Sequence, residues 1–200
     1  MTEWKEYKLG EVITVKYGKD HKALKDGLYP VYGSGGIMRY ADNFLYDKES
    51  ILIPRKGSLN NIFYREKAFW TVDTMFYSEI DTTKVFPKFL YYQLTLVDFE
   101  NLNVGSAVPS LTIPIIKDIA ISLPPLPEQI RIASILSSLD DKIDLLHREN
   151  KTLEAMAETL FRQWFIEEAK EDWEEGTIAD FAEHYKASVN PRNNPIEMYY

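Results

Sequence analysis

The chain has 200 residues, of which 45% are apolar and 27% are charged, a composition typical of a globular protein with one sizeable core. It contains no cysteine, which excludes a disulfide framework and a thiolate metal site. The net charge of -8 is unevenly distributed: residues 1–123 carry 15 Lys and Arg against 15 Asp and Glu, whereas residues 124–200 carry 8 against 16.

Residues 1–123 predict an α+β domain with short strands, glycine-rich turns and a few helices. Short β-rich runs occur at Ser50-Ile51-Leu52-Ile53 and Thr74-Met75-Phe76-Tyr77-Ser78. Pro87 suits the first position of a helix, and apolar residues follow it at helical spacing: Phe89, Leu90, Leu94 and Val97. We expect most of the aromatic residues to be in the core: Tyr29, Tyr32, Tyr40, Tyr46, Tyr64, Phe69, Trp70, Phe76 and Tyr77.

A proline-rich boundary follows, with the sequence Ser122-Leu123-Pro124-Pro125-Leu126-Pro127. Three prolines in this short stretch continue neither a sheet nor a helix, because each removes a backbone donor and fixes φ. From Pro127 to about Lys170 there is no glycine and no further proline, which predicts one long amphipathic helix. The predicted divisions are therefore a domain at 1–123, a helix within 124–170, and a third segment at 171–200.

The long helix carries a heptad seam whose members alternate in spacing between four and three residues: Ile132, Leu136, Leu139, Ile143, Leu146, Asn150, Leu153, Ala157, Leu160 and Trp164. Such a seam predicts a coiled coil with a second helix. Asn150 is its one polar member, and a buried Asn at this position fixes the register of two helices. Two other interpretations stay open: Asn150 is solvated where the helices separate, or the whole seam packs on the chain's own domain.

An internal repeat relates the start of the chain to its end. Trp4-Lys5-Glu6-Tyr7-Lys8-Leu9-Gly10-Glu11-Val12 aligns without gaps to Trp173-Glu174-Glu175-Gly176-Thr177-Ile178-Ala179-Asp180-Phe181. The repeat predicts that residues 171–200 begin a second copy of the first domain that stops before it forms a core. A chance match over nine positions is the alternative.

No arrangement of residues that would support catalysis is visible in the sequence. The three histidines are too scattered for a metal site: His21, His147 and His184. Gly33-Ser34-Gly35-Gly36 lacks the following Gly-Lys-Ser/Thr of a phosphate-binding loop. Three helix carboxylates are most simply a solvated face: Asp140, Asp141 and Asp144. We therefore expect no enzyme activity, no cofactor and no metal.

Three turns carry residue types suited to DNA recognition, at residues 33–40, 55–61 and 105–110. Glycine lets the backbone approach a phosphate closely, Arg can pair with guanine through two hydrogen bonds, and Asn can do the same with adenine. The same residue types are also common in ordinary loops, so this pattern alone leaves the function open.

The proline boundary resembles the junction between target recognition domain and conserved helix in the specificity subunits of type I restriction-modification enzymes. The matching residues run Ser122-Leu123-Pro124-Pro125-Leu126-Pro127-Glu128-Gln129-Ile130-Arg131-Ile132-Ala133-Ser134-Ile135-Leu136 and continue as Asp140-Asp141-Lys142-Ile143-Asp144. Three earlier stretches resemble the first recognition domain of that family: Trp4 to Gly10, Tyr29-Pro30-Val31-Tyr32-Gly33 with Gly36, and Ile53-Pro54-Arg55-Lys56-Gly57-Ser58. The resemblance covers essentially the whole chain.

The resemblance implies a non-catalytic subunit with two recognition domains, each followed by a conserved helix and each reading one half of a split DNA target. The two helices pack antiparallel, and separate methyltransferase and restriction subunits supply the chemistry. This chain departs from the pattern by stopping soon after its second copy starts. A homodimer through the long helix would restore the arrangement, and it would read a palindromic split target.

On the same resemblance, the predicted contacts with double-stranded DNA are the turn residues Ser34, Gly35, Arg39, Arg55, Lys56, Ser58 and Asn60, with Lys16 and Lys19 beside phosphates. A coiled-coil adaptor that binds no DNA is the competing interpretation, because residues 1–123 carry no excess of positive charge. The chain has neither a signal peptide nor an apolar span of about 20 residues, so we expect a cytoplasmic protein without a membrane partner.

Overall fold

The computed structural model describes residues 3–105, 107–168 and 176–181. The chain divides into two compact units, Met1–Asp144 (unit 1) and Leu145–Tyr200 (unit 2), and one long helix begins in unit 1 and ends in unit 2. Within the described ranges, no helix combines the length and the apolar character that a membrane span requires.

Unit 1 contains short strands, and three α-helices begin in it. The helices that begin at Pro87 and near Pro127 were predicted from the sequence, whereas the helix at Ile113–Asp118 was not located there. The strands are β1 (Lys5–Lys8), β2 (Ile13–Tyr17), β3 (Asp26–Gly33), β4 (Gly36–Ala41), β5 (Ser50–Pro54), β6 (Phe63–Arg65), β7 (Trp70–Thr71), β8 (Met75–Ile80) and β9 (Ala120–Leu123). The helices are α1 (Pro87–Leu94), α2 (Ile113–Asp118) and α3 (Leu126–Arg162), and α4 (Ile178–Phe181) follows in unit 2. The predicted α+β fold with one long helix is confirmed.

The strands of unit 1 form three sheets in the described part of the chain. The largest has the order β2-β8-β5-β6 with antiparallel neighbours, and β5 is buried along its whole length, which explains its continuous apolar run. In the second sheet β3 lies between β4, antiparallel, and β7, parallel. The third pairs β1 with β9, so the start of the chain lies beside the strand that leads into α3.

The main core lies between the largest sheet and the helices α1 and α2. Phe89, Leu90 and Leu94 of α1 are buried there, as their helical spacing predicts, whereas Val97 lies beyond the end of α1 and is only partly buried. Of the aromatic residues that we expected in the core, eight are buried or half-buried: Tyr29, Tyr32, Tyr46, Tyr64, Phe69, Trp70, Phe76 and Tyr77. The expectation is wrong for Tyr40, which is exposed on β4.

The long helix α3 begins one residue before the predicted start, with Pro127 in its first turn, where a missing N–H is tolerated. Its α-helical geometry ends at Arg162, and a wider π-helical turn continues over Gln163–Glu167. The Glu168 N–H donates to the Gln163 carbonyl at 2.8 Å and closes that turn. The predicted end near Lys170 lies outside the described residues.

The seam of α3 is covered by the chain's own domain only at its beginning. Ile132 packs against the main core and Leu136 is half-buried. The large apolar seam residues that follow are between 41% and 61% exposed: Leu139, Ile143, Leu146, Leu153, Leu160 and Trp164. Asn150 and Ala157 are exposed as well. Packing on the chain's own domain therefore accounts for the first two seam residues and not for the rest.

The two copies of the internal repeat share one hydrogen bond where both are described, before a 3₁₀ turn in the first copy and before a short α-helix in the second. In the first copy the Lys8 N–H donates to the Glu11 carboxylate at 2.7 Å, at the start of a short 3₁₀ turn. In the second copy the aligned Thr177 N–H donates to the aligned Asp180 carboxylate at 2.6 Å, at the start of α4. The same capping interaction at aligned positions favours a true repeat over a chance match. The remaining aligned residues, 173–175, lie outside the described part.

Candidate nucleic-acid interface

Three turns from distant parts of the sequence meet at one place in unit 1. The Asn61 side chain donates to the Ser34 carbonyl at 3.0 Å and so joins the β3–β4 hairpin to the loop after β5. The Gly57 N–H donates to the Pro109 carbonyl at 3.0 Å and joins that loop to the turn before α2. We call residues 34–36, 55–61 and 107–110 the three-loop surface. The turns that the sequence singled out are thus neighbours in space.

Glycine is required where the first two loops touch. Gly57 has a φ of +92°, which L side chains rarely adopt, and a Cβ at this position would lie 2.8 Å from the Ser34 hydroxyl. Gly36, at the tip of the β3–β4 hairpin, has a φ of +112°. The short hairpin and the close approach of Gly57 therefore depend on residues that the sequence places at these turns.

The third loop is held by a residue that the sequence analysis missed. The Asn103 side-chain oxygen accepts hydrogen bonds from the N–H groups of Gly105 (2.7 Å) and Ser110 (2.8 Å), and its amide donates to the Gly105 carbonyl at 3.0 Å. An Asn that precedes a glycine turn commonly bonds its own backbone in this way, and that was the available signal. Val108, which this loop presents, is 55% exposed.

The turn at residues 71–75 connects two of the predicted phosphate or base contacts. The Lys19 N–H donates to the Thr71 carbonyl at 2.8 Å, and the Arg55 N–H donates to the Thr74 carbonyl at 2.8 Å. Gly18, before Lys19, has no room for a side chain, because a Cβ would lie 2.0 Å from the Val72 carbonyl oxygen. Lys19 and the 55–61 loop therefore flank one rigid turn.

Three of the predicted cationic contacts already have carboxylate partners. Arg55 donates from Nε to the Asp73 carbonyl at 2.6 Å, and its Nη2 lies 3.5 Å from the Asp73 carboxylate. Lys16 lies 3.5 Å from Glu79 across the β2–β8 pair. The Arg39 guanidinium donates to Asp26 at 2.9 Å and to the Leu24 carbonyl at 3.0 Å, at the opposite end of β3 from the hairpin tip. These partners fix local structure.

Asn60 also has a structural partner. Its side-chain oxygen accepts a hydrogen bond from the Phe99 N–H at 2.9 Å, which ties the 55–61 loop to the segment after α1. Ser34 is half-buried, whereas Gly35 and Ser58 are exposed. Exposed glycine and serine at a turn offer backbone groups and a hydroxyl to a ligand without disturbing a fold contact.

The remaining predicted cations are available for an anionic ligand. Lys19 and Lys56 are exposed, and neither forms an ion pair within the described ranges. The three-loop surface contains no Asp or Glu in its sequence. These two lysines can therefore contact an anion without giving up a carboxylate partner, although the domain as a whole has no excess of positive charge.

Two aromatic side chains beside this surface were not among the predicted DNA contacts: Tyr17, and Tyr32, which was expected in the core. Tyr17, at the end of β2, is exposed, and the Arg55 guanidinium lies 6.0 Å from its ring centre. Tyr32, just before the hairpin tip, is buried under Arg65. Burial raises the pKa of Tyr32, against an opposing effect of Arg65, so its hydroxyl stays protonated at neutral pH.

This surface offers groups for hydrogen bonds, apolar contacts and ion pairs. It presents hydroxyls, backbone amides, an exposed valine and lysines, with no nucleophile that is paired with a base. Among the residues that the structure describes, no cluster of three or more His, Cys, Asp or Glu side chains is placed to hold a metal ion. Rigid loops on a scaffold of sheets are a common arrangement for binding sites.

Comparison with known proteins supports the resemblance seen in the sequence. A family model described as the type I restriction modification DNA specificity domain matches residues 1–155. The HindI specificity subunit of Haemophilus influenzae is 25% identical over 197 residues, which cover 84% of this chain and 42% of that protein. The MjaIX specificity subunit of Methanocaldococcus jannaschii is 28% identical over 127 residues, which cover 62% of this chain and 29% of that protein.

The fold also matches a solved structure. The S subunit of a type I restriction-modification system from M. genitalium superposes with a TM-score of 0.69 at 22% identity, over 81% of this chain and 46% of that one. At this identity the match concerns the fold. The chain spans less than half the length of each of these three proteins.

Proposed function

The chain belongs to the family of type I restriction modification DNA specificity domains, and from this premise we propose that it reads one half of a two-part DNA target through the three-loop surface. The observation that carries the proposal is the meeting of three separate turns in one surface that has no carboxylate in its own sequence. This surface presents the exposed Lys56, and Lys19 lies on the other side of the neighbouring turn at residues 71–75; neither forms an ion pair within the described ranges. Such a surface suits a polyanion whose bases are read by short side chains and backbone groups.

In this proposal Lys19 and Lys56 contact phosphates, and Gly35, Ser58 and Ser34 lie against the bases or the sugar-phosphate backbone. Arg55 and Asn60 hold the loops in place in the free protein, through Asp73 and the Phe99 backbone. A direct role in base reading would require them to exchange these partners for DNA. The same applies to Arg39 and Lys16, whose carboxylate partners are Asp26 and Glu79.

The chain itself performs no chemistry in this proposal. Methyltransferase subunits would supply the transfer of a methyl group, and restriction subunits would supply cleavage, each as a separate partner of the assembled enzyme. The work of this chain is to choose the DNA sequence on which they act. Its partners and its DNA substrate would place it in the cytoplasm.

We further propose that the exposed part of the seam is covered by the same seam of a second copy. Large apolar side chains at heptad spacing that stay about half exposed are stabilised when a second helix removes them from water. Asn150, exposed at a seam position, would pair with its symmetry mate and set one register. An isologous dimer of this kind presents two identical reading surfaces and suits a palindromic split target.

In the domain division that we propose, residues 1–123 read DNA, residues 124–170 form the spacer and dimerisation helix, and residues 171–200 begin a second recognition domain. The shared capping interaction of Lys8 with Glu11 and of Thr177 with Asp180 supports the last assignment.

The decisive test of DNA reading combines the chain with its methyltransferase subunit and maps the adenines that become methylated on a plasmid library. We expect one two-part target sequence. On duplex DNA that contains this target, Lys56→Ala should weaken specific and nonspecific binding together and lower the slope of log K against log salt by about 0.9, because one counterion fewer is released.

The matched control is Lys5→Ala, which removes an exposed lysine of β1 in a separate sheet. It should change neither the DNA affinity nor the slope of log K against log salt. If the chain shows no salt-dependent binding to duplex DNA and directs no methylation, the proposal fails. A coiled-coil adaptor without DNA binding would then be the better description.

A further inference from the structure

The first turns of α3 meet unit 1 along a face that is partly polar. Gln129, Ala133, Ser137 and Asp140 recur at spacings of four, four and three residues and so share one side of the helix. Gln129 is 1% exposed and Ala133 is fully buried. A small residue next to a buried amide lets the helix approach its neighbour closely and places hydrogen-bonding groups inside the contact.

Gln129 uses its whole side-chain amide to bind the backbone of two other segments. Its oxygen accepts a hydrogen bond from the Phe86 N–H at 2.8 Å. Its nitrogen donates to the Lys84 carbonyl at 3.2 Å and to the Pro124 carbonyl at 2.8 Å. One side chain thus joins the segment before α1, the proline boundary and α3.

Two of these three bonds go to backbone groups at the start of α1 and at a buried proline. Phe86 is the N-cap of α1, and no side chain of α1 itself caps that end. Pro124 is buried, so its carbonyl is away from water. Because buried backbone groups are costly when unpaired, these bonds favour the placement of α3 that keeps them.

A second polar contact holds α3 farther along the same face. The Tyr92 hydroxyl donates to the Asp140 carboxylate at 2.5 Å and lies 3.3 Å from the Ser137 hydroxyl. Burial, with a contribution from the hydrogen bond to Asp140, raises the pKa of Tyr92 to about 12, so the hydroxyl stays a donor at neutral pH. Asp140, expected from the sequence to be one of three solvated carboxylates, is therefore partnered.

Both contacts involve the same short helix. Phe86, just before α1, meets Gln129, and Tyr92, in its last turn, meets Ser137 and Asp140, so α1 and the start of α3 run side by side in the same direction. Gln93 of α1 also donates to the Ser122 carbonyl at 2.5 Å, at the end of β9. Helix α1 therefore holds the strand, the boundary and the long helix together.

We propose that Gln129 and Tyr92 are positioning residues that fix the direction in which α3 leaves the recognition domain, and thereby the length of unread DNA between the two halves of the target. Apolar contacts alone allow a helix to slide or rotate, whereas directional bonds at two points do not. The link to DNA spacing rests on the proposed function, whereas the fixed direction of α3 does not.

The chain has no cysteine, so two introduced cysteines can carry spin labels without interference. We would place them at Lys48 in the loop before β5 and at Lys142 on α3, both exposed and both within unit 1. Lys142 lies about 20 Å along α3 from Gln129, so a small change in helix direction moves its label measurably. Pulsed electron spin resonance on the full chain then reports the distribution of label distances.

The expected result is a single narrow distribution for the native sequence that broadens or shifts in Gln129→Met, which keeps the length of the side chain and removes its amide. Tyr92→Phe, which loses only a hydroxyl, should show a smaller change of the same kind. It also keeps the test decisive if Gln129→Met does not fold. Unchanged distributions in both variants would overturn the proposal.

The matched control is Ser78→Ala, which removes a buried hydroxyl that bonds the Ile51 N–H at 2.9 Å in the largest sheet, away from α3. It should lower stability and leave the distances unchanged, which separates positioning from general destabilisation. If Ser78→Ala broadens the distances as much as Gln129→Met does, the positioning role is contradicted.

The functional half is tested in the assembled methyltransferase, on a library in which the two half-targets are separated by variable lengths of DNA. The methyltransferase assembled with Gln129→Met should methylate targets over a wider range of spacings than the methyltransferase assembled with the native chain. A changed distance distribution with an unchanged spacing range would overturn the link to DNA while the fixed helix direction stands. If the native chain directs no targeted methylation at any spacing, the proposed function itself is contradicted.

Discussion

Two regions of helix α3, residues 126–137 and residues 138–162, carry the same heptad pattern of apolar residues and have very different surroundings. Up to Ser137 one face of the helix packs on unit 1, where Ala133 is fully buried and Gln129 has three hydrogen bonds. From Ser138 to Arg162 every residue of the helix is exposed, although the same heptad pattern continues. One periodic pattern is thus covered by the chain's own domain in its first part and exposed in the rest, where we propose that a second helix covers it.

The strongest way to sharpen this comparison is to shorten one leucine in each region. Leu90→Ala, at a fully buried position of α1, should lower the free energy of unfolding of unit 1 by about 2–5 kcal/mol, because it leaves a cavity. Leu153→Ala, at an exposed seam position, should leave that free energy unchanged and weaken self-association instead. Urea denaturation followed by tyrosine fluorescence, together with the concentration dependence of sedimentation, separates the two effects.

The long helix, its apolar seam and the glycine turns could be predicted from the sequence, because they depend on residues close together in the chain. The prolines at 124, 125 and 127, the glycine-free stretch after them and the four-three spacing give a long helix with one apolar seam. Turn residues such as Gly57 and Gly36 likewise marked loops correctly, because their backbone conformations are local properties. The alternation of buried residues in α1 follows from helix geometry alone.

Contacts between distant residues could not be predicted in the same way. The residues around Arg55 in the sequence do not show that its guanidinium will donate a hydrogen bond to the Asp73 carbonyl. The sequence around Asp140 likewise does not show that Asp140 will accept a hydrogen bond from Tyr92. Tyr40 was expected in the core from its strand spacing, yet β4 lies at the edge of its sheet in the described chain and leaves that side chain exposed. Such outcomes depend on tertiary packing, which a single sequence does not reveal.

A second prediction concerns the polar member of the exposed seam. Asn150→Leu should strengthen self-association by about 1–3 kcal/mol, because a buried amide with imperfect partners is replaced by an apolar side chain. It should also loosen the choice of register, so that higher oligomers appear in sedimentation velocity. The matched control is Lys151→Leu, one residue off the seam, which should change neither the strength of self-association nor the size of the oligomer. An unchanged association constant in Asn150→Leu would place residue 150 outside any helix interface.

The smallest expected effect is a dependence of the stability of unit 1 on alkaline pH. Burial raises the pKa of Tyr92 to about 12 and raises the pKa of Tyr91 as well, whereas the described residues 145–168 contain no tyrosine. A raised pKa means that the unfolded chain loses these protons first, so the stability contribution is full below pH 10 and declines as the pH rises toward 12. Tyr92→Phe should flatten that decline in urea unfolding measured between pH 9 and pH 12. An equal decline in the variant would remove Tyr92 from the explanation.

The central claim is that the exposed seam of α3 is covered by the seam of a second copy. Sedimentation equilibrium of the full chain at micromolar concentration tests it most directly, with Leu146→Asp as the variant that places a charge in the seam. We expect the mass of two chains for the native sequence and the mass of one chain for Leu146→Asp. A native chain that stays monomeric across the micromolar range would contradict it.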